Sequence, residues 1–285
     1  MNVLIGGSTG LVGRKLTEAL IRSGHKVTGL SRADFSGPEA ALIQKLGKAE
    51  VVINLSGAPI VARWTEAHKK EIIDSRILTT RKLVNAMASS AVRPRLFISA
   101  SAVGIYAEGE VFTEENAKIG NNFLADVCKL WEGEARKSPA DTDVAIFRLG
   151  VVLAREGGAL QKMLLPFRLG LGGPVAGGKQ GFSWIHIDDL VQAFLFVIEK
   201  NLSGVFNLTS PEITDNASFT KALGKAVKRP AIFPVPAFAL KLVFGEGASA
   251  LTSGQKVLPY RLQKEGFVFQ FPKLKEALED IVRKK

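Results

Sequence analysis

Three glycines, Gly7, Gly10 and Gly13, stand at G-x-x-G-x-x-G spacing in the turn Gly7-Ser8-Thr9-Gly10-Leu11-Val12-Gly13. Glycines so spaced let a chain turn tightly and bring backbone N–H groups against a pyrophosphate. Ser31 and Arg32 follow about twenty residues later, where a dinucleotide site places its ribose ligand. A carboxylate there would accept from a 2′-hydroxyl, whereas the guanidinium of Arg32 suits a 2′-phosphate, which predicts NADP(H) rather than NAD. Asp34 is the alternative ribose ligand in a shifted register. Two further stretches are rich in small residues, Asn54-Leu55-Ser56-Gly57-Ala58 and Ser99-Ala100-Ser101-Ala102-Val103-Gly104.

The elements around these stretches must bring them to one edge. Val3-Leu4-Ile5 reads as a buried strand, and residues 11–23 carry apolar side chains at helical period before Gly24. Further strands are expected at 26–30, 51–55, 96–99, 144–149 and 205–208. Helices are expected at 36–46, 65–88, within 120–136, and at 190–199, 218–227 and 274–282. Strands alternating with helices predict an α/β fold, a Rossmann-type doubly wound parallel sheet. Each small-residue stretch then falls at the C-terminal end of a strand, where open sheets bind ligands. The span between the second and third strands is short, so one strand is expected to be missing or vestigial. Glycine and proline crowd residues 157–181, and 230–236 reads as an extended bridge. The expected division is a NADP-binding domain, 1–150 with 182–210 returning to it, and a substrate lobe from 151–181 and 211–285.

Composition narrows the function classes. The chain has 285 residues, 46% of them hydrophobic, enough for a sizeable core. Cys128 is its one cysteine, which excludes an intrachain disulfide and fits a reducing compartment. His25, His68 and His186 show no metal-ligand spacing, and no metal site is expected. The apolar run 190–198 is too short to span a bilayer, and the first residues enter a strand directly. The expectation is a soluble cytoplasmic protein without a membrane partner. The net charge is +11, but the basic residues, among them Lys225 to Arg229 and Arg283 to Lys285, are dispersed and carry no nucleic-acid motif. No nucleic-acid partner is expected; the charge reads as a solvated surface that helps draw anionic ligands to a cleft.

Gly7 to Gly13, Ser99 to Gly104 and Trp184-Ile185-His186-Ile187-Asp188-Asp189-Leu190 together resemble the extended and atypical short-chain dehydrogenase/reductases, in their nucleotide-sugar epimerase branch. Met163 to Pro174, Asn216-Ala217-Ser218-Phe219 and Ser253 to Pro259 are similar to a narrower family of epimerases without an assigned substrate. Some bacterial members of that family carry a cell-division-inhibitor label. The resemblance spans nearly the whole chain. It implies NADP(H) in the cleft, with the three glycines at the pyrophosphate, Ser31 and Arg32 at the 2′-phosphate, and Leu55 and Ser56 along the adenosine. Glu71, Arg76 and Leu124 match family positions that face the cleft. Relatives that pair do so through the helices near 65–88 and 124–136, which implies a homodimer.

The same resemblance exposes a gap. Such enzymes use a serine or threonine with a Tyr-x-x-x-Lys pair, the phenol moving the proton while nicotinamide moves the hydride. Ser101 matches the serine and Lys129 stands near the lysine, but the residue four before Lys129 is Ala125. Tyr106 and Tyr260 are the only tyrosines, and neither begins such a pair. Three readings stay open. Another group does the proton work, with Tyr106, Asp126, Glu132 and Cys128 as candidates and Tyr106 chemically the best matched. Alternatively, the protein binds NADP(H) without turnover, as a sensor or partner-binding module. In the third, it is a slow reductase in which Ser101 or a water polarises a carbonyl. The substrate is an unidentified small molecule. Arg148 and Arg168 are candidates to hold its anionic group, and His186 is a candidate at the boundary between cleft and lobe. Trp131 and Trp184 read as core or cleft wall, and Asn207 as a strand-end cap.

Overall fold

The computed structural model describes residues 1–283; Lys284 and Lys285, the end of the basic C-terminal run, lie outside the described residues. The first half runs β1 (Asn2–Gly6), α1 (Leu11–Arg22), β2 (Lys26–Leu30), α2 (Arg32–Ser36), α3 (Glu39–Leu46), β3 (Val51–Asn54), α4 (Glu66–Ser89), β4 (Leu96–Ala102), β5 (Val111–Phe112), α5 (Phe123–Ala135) and β6 (Asp143–Leu149). There follow β7 (Val151–Leu153), α6 (Gly158–Arg168), β8 (Trp184–His186), α7 (Ile187–Glu199), β9 (Gly204–Leu208), α8 (Asn216–Ala226), α9 (Ala237–Phe244), α10 (Ser249–Thr252), β10 (Lys256–Val257), α11 (Tyr260–Lys264) and α12 (Leu274–Arg283).

Six parallel strands form the central sheet in the order β2-β1-β3-β4-β6-β9. Side chains alternate across it, as strand geometry requires. Val3, Ile5, Val51, Ile53, Leu96 and Ile98 pack with Leu16 and Leu20 of α1 and Leu190 and Phe194 of α7. Leu4, Val52 and Phe97 turn the other way, onto Leu42 of α3, Leu83 and Met87 of α4 and Ala135 of α5. Helices cover both faces, which makes the sheet doubly wound. Among the described residues no strand lies outside β2; residues 32–46, which follow β2 in sequence, form α2 and α3. A third apolar cluster joins α6, β8, α8 and α12 through Leu164, Phe167, Trp184, Phe219 and Leu278.

The differences from the sequence reading sit at caps and glycines. The helix expected at 36–46 is two helices, because Ser31 caps α2 and Pro38 starts α3. Helix α7 begins at Ile187 rather than Leu190, because His186 caps it: its Nδ1 accepts from the Asp188 N–H at 3.1 Å. Strand β4 continues through Ala102, paired with Leu149. Helix α6 lies inside the glycine-rich 157–181 stretch; Gly157, Gly158 and the internal Pro166 hid its periodicity. Helix α9 was not anticipated either. No helix among the described residues is long and apolar enough to cross a membrane.

Candidate functional site

The turn between β1 and α1 is shaped by what its glycines make possible. Gly7 has φ +79°, and a Cβ there would meet the Leu55 carbonyl carbon at 2.8 Å. A Cβ on Gly13 would stand 2.2 Å from the Gly7 carbonyl oxygen, so α1 can close onto the turn only without one. Gly10 differs: a Cβ there would meet only the Gly7 oxygen, at 3.4 Å. Space outside the turn is therefore open at Gly10, which also brings no side chain to cap α1. The N-terminal N–H groups of a 12-residue helix are thus left for an anion. Gly157 and Gly158 fold over Leu11 at the start of α1, within 3.3 Å of its side chain were they to carry a Cβ.

At the tip of β2, Ser31 and Asp34 form a capping box. The Ser31 N–H donates to Asp34 Oδ2 at 2.7 Å, and the Asp34 N–H donates to Ser31 Oγ. Lys45 pairs with the same carboxylate at 2.5 Å. The Lys45 contact, then the Ser31 backbone and hydroxyl, bring the Asp34 carboxyl down to about 2. Asp34 is thus spent on the cap, which removes it as the alternative ribose ligand. Arg32, the first residue of α2, is exposed and makes no ion pair among the described residues.

Past β3, Asn54 is fully buried; its Nδ2 donates to Thr80 at 2.9 Å and its Oδ1 accepts from the Ser56 N–H at 3.1 Å. Its side chain shapes the turn and does not itself face the space beyond it. Leu55 and Ser56 are half-buried and Gly57 exposed. Arg76 lies beneath this turn, donating to the carbonyls of Ala58 at 3.0 Å and Ile72 at 3.1 Å, with its guanidinium 5.3 Å from the Trp131 ring. Burial lowers its pKa. Glu71 is exposed and paired with His68 Nδ1 at 3.2 Å.

The end of β4 carries a buried polar chain. Ser99 and Ala100 are buried, and the Ser101 hydroxyl donates to Glu132 Oε1 at 2.8 Å. Arg148 grips the same carboxylate from β6 through Nε (2.8 Å) and NH2 (2.9 Å), and Arg136 reaches Oε2 at 2.9 Å. The other Arg148 nitrogen donates to Tyr106 Oη at 2.8 Å, and Tyr106 in turn donates to Asn207 Oδ1 at 2.8 Å. Burial alone would raise the Glu132 carboxyl; the Arg148 hydrogen bonds and charge outweigh it and hold the group below its usual range.

This chain corrects several expectations. Tyr106 is fully buried with its hydroxyl bonded inside the protein, and burial raises its pKa further, so it is not a cleft-facing proton donor. Arg148 is buried, with its guanidinium bonded to Glu132 and Tyr106 rather than turned toward an anion in the cleft. Lys129 points outward, paired with the equally exposed Asp126 at 2.5 Å. The ridge of α5 beside Ser101 is instead Leu124, Cys128 and Glu132, at i, i+4 and i+8. A Tyr-x-x-x-Lys pair serving Ser101 would therefore occupy Leu124 and Cys128, one residue before the positions expected. Leu124 is half-buried 3.8 Å from the Cβ position of Gly104. Cys128 is buried beside Ser101 and the Ala102 backbone; burial, then the Glu132 charge, push its thiol up to about 11. His186 is buried, caps α7 and reaches Asp280 of α12 at 3.3 Å, so it joins α7 to α12. Arg168 is exposed at the end of α6, where its carbonyl accepts from Arg229 Nε.

Sequence reading missed Glu114. Its carboxylate accepts from the Asn207 N–H at 2.7 Å and the Arg261 N–H at 3.4 Å, tying the loop after β5 to β9 and α11. Glu114 sits in a charged stretch that reads as an exposed loop, so nothing local announces it.

The model of the NAD dependent epimerase/dehydratase family matches residues 3–209, and a domain of unknown function matches 235–281. Epimerase family protein SDR39U1 of Mus musculus is 40% identical over 294 residues, covering 99% of this chain and 100% of the mouse protein. Epimerase family protein SSP1921 of Staphylococcus saprophyticus is 38% identical over 293 residues, covering 98% of each. Among solved structures, human epimerase family protein SDR39U1 with NADPH superposes with a TM-score of 0.94 at 36% identity over 100% of both chains. A nucleoside-diphosphate sugar epimerase from Corynebacterium glutamicum gives 0.80 at 30% identity, over 99% of this chain and 58% of that one.

Proposed function

The chain belongs to the NAD dependent epimerase/dehydratase family, and from that premise we propose that it binds NADP(H) along the Gly7–Gly13 turn and performs a redox or epimerase-type step on a small carbonyl or sugar-type molecule. The observation that carries this is the open space at Gly10 before the uncapped N-terminus of α1, with Arg32 free at the tip of β2. The human relative crystallised with NADPH supports the choice of cofactor. When bound, the nicotinamide supplies or accepts a hydride. The α1 N-terminus then holds the pyrophosphate, Arg32 the 2′-phosphate, and the Leu55–Gly57 turn, braced by Arg76, walls the adenosine side.

A second reading, an NADPH-binding sensor without turnover, has its own observation. The Ser101 proton is committed to Glu132, and Leu124 and Cys128 stand where a phenol and an ammonium would serve it. None of these supplies a proton readily at neutral pH.

Thermal unfolding with NADPH, NADP⁺, NADH and no ligand, repeated on Arg32→Ala, tests the cofactor. A ligand at a hundred times its dissociation constant adds about 2.7 kcal/mol. The expected result is a larger shift with NADPH than with NADH, equalised in the variant. NADPH absorbance across a panel of aldehydes, ketones and nucleotide sugars, with product analysis for epimers, then separates the readings. Binding without conversion favours the sensor; no shift with any nicotinamide removes both.

A further inference from the structure

Helix α9 is apolar except for Lys241, yet none of its residues is buried; Phe238 and Leu242 are 76% and 78% exposed. It follows a stretch, 229–235, that runs hydrogen-bonded along 168–175. Phe233 N–H donates to the Gly172 carbonyl at 3.1 Å and Val235 N–H to that of Pro174 at 2.9 Å. The two paired segments add further uncovered apolar side chains, Phe233 on one and Leu169 and Leu171 on the other. Uncovered apolar side chains gathered in two paired segments and the helix that follows them mark an interaction site.

The charge pattern on this face says what covers it. Residues 157–182 and 216–245 contain no Asp or Glu; the first holds three Lys or Arg residues and the second five, against a net charge of +11 for the chain. All eight are exposed. Lys221, Lys225, Lys228 and Arg229 line one concavity with Ile232, so cations and apolar groups share the surface. The bordering acids are occupied: Asp215 caps α8, Glu246 pairs with Lys69 at 2.5 Å, and Glu279, which shares a second concavity with Arg168, Lys225 and Lys228, pairs with Arg283 at 3.6 Å.

We propose that this face docks on an anionic lipid bilayer. Apolar side chains enter the acyl boundary while Lys and Arg meet the headgroup charge, the arrangement of interfacial helices. A second copy docked by the same segments would set eight cations against eight, with acids only at the border and already paired or capping. A nucleic acid would answer the cations but leave exposed leucines against phosphate and water. Docking on a surface needs no spanning helix, so it is compatible with the lengths of α9 and α6, and it departs from the composition-based expectation of no membrane partner. It does not rest on the cofactor reading.

The test is co-sedimentation of the full chain with vesicles of phosphatidylcholine alone or mixed with phosphatidylglycerol. Binding is expected to the mixed vesicles only, and to fall with salt. Lys225→Gln with Lys241→Gln should weaken partitioning about fivefold per lysine, and Phe238→Ser with Leu242→Ser should abolish it. Each variant is checked for an unchanged melting temperature, which these exposed positions predict. Equal binding to neutral vesicles, wild-type binding by the variants, or no binding at all would overturn the proposal. Self-association without vesicles that is lost in Phe238→Ser/Leu242→Ser would also overturn it and assign the face to a second copy.

Discussion

The Ser101 hydroxyl donates inward to Glu132 Oε1 at 2.8 Å, onto a carboxylate that Arg148 already holds with two nitrogens. The serine that sequence resemblance marks for chemistry is thereby the first link of a buried polar chain through Arg148 and Tyr106 to Asn207. Four elements, β4, α5, β6 and β9, are fastened together by it.

Glu132→Gln should be strongly destabilising. It leaves the Arg148 guanidinium, 7% exposed, without its counter-charge, and removing one partner of a buried pair costs about 3–5 kcal/mol. Urea unfolding measures this directly. A loss below about 1 kcal/mol would mean the chain is less desolvated than its geometry implies.

Tyr106→Phe separates structure from catalysis. The phenol is bonded to Arg148 and Asn207 and reaches no cleft. Deleting its hydroxyl should cost about 1–3 kcal/mol of stability and leave the NADPH-over-NADH difference in melting shift intact. Selective loss of substrate conversion at unchanged stability would return Tyr106 to the active site.

The glycines of the turn should fail in different ways. Gly13→Ala sets a Cβ 2.2 Å from the Gly7 oxygen and should lower the melting temperature of the free protein. Gly10→Ala meets one atom at 3.4 Å, so the free protein should fold normally while the NADPH shift disappears. A retained shift in Gly10→Ala would place the pyrophosphate elsewhere.

Asp34 gives a pH signature. Lys45 and Ser31 depress its carboxyl from 3.8 to about 2 in the folded chain. The unfolded state therefore binds the proton first as pH falls, and the contribution of Asp34 to stability, complete above about pH 4, is lost as pH drops through about 2. The stability difference between wild type and Asp34→Asn should be constant near neutrality and vanish over that window. Because the cap positions Arg32, the variant should also narrow the NADPH-over-NADH difference.

Cys128 should be silent to thiol reagents in the native state. Burial and the Glu132 charge leave it a neutral thiol at pH 8, and the reactive species is the thiolate. Titration with a colorimetric disulfide should find no thiol in the folded protein and one after denaturation.

What the sequence by itself determined was everything that depends on local pattern. The period-two and period-3.6 alternations gave the parallel sheet and its two helical faces. The spacing of Gly7, Gly10 and Gly13 marked the turn, and the shortness of the segment after β2 pointed to a strand missing or vestigial; none stands outside β2 among the described residues. Tertiary structure decided the directions of side chains. Whether α5 offers Cys128 or Lys129 to Ser101 is a rotation of about 100° on a helix, invisible in spacing alone. Tyr106 and Arg148 carry polar groups that sequence patterns assign to a cleft. They are buried because Glu132 and Asn207, from distant segments, satisfy them. Apolar α9, which no sequence pattern announced, lies at the surface with none of its residues buried. A hydrogen-bond partner or a covering layer is contributed by chain far away in sequence, and only the folded arrangement brings it into contact or leaves it out.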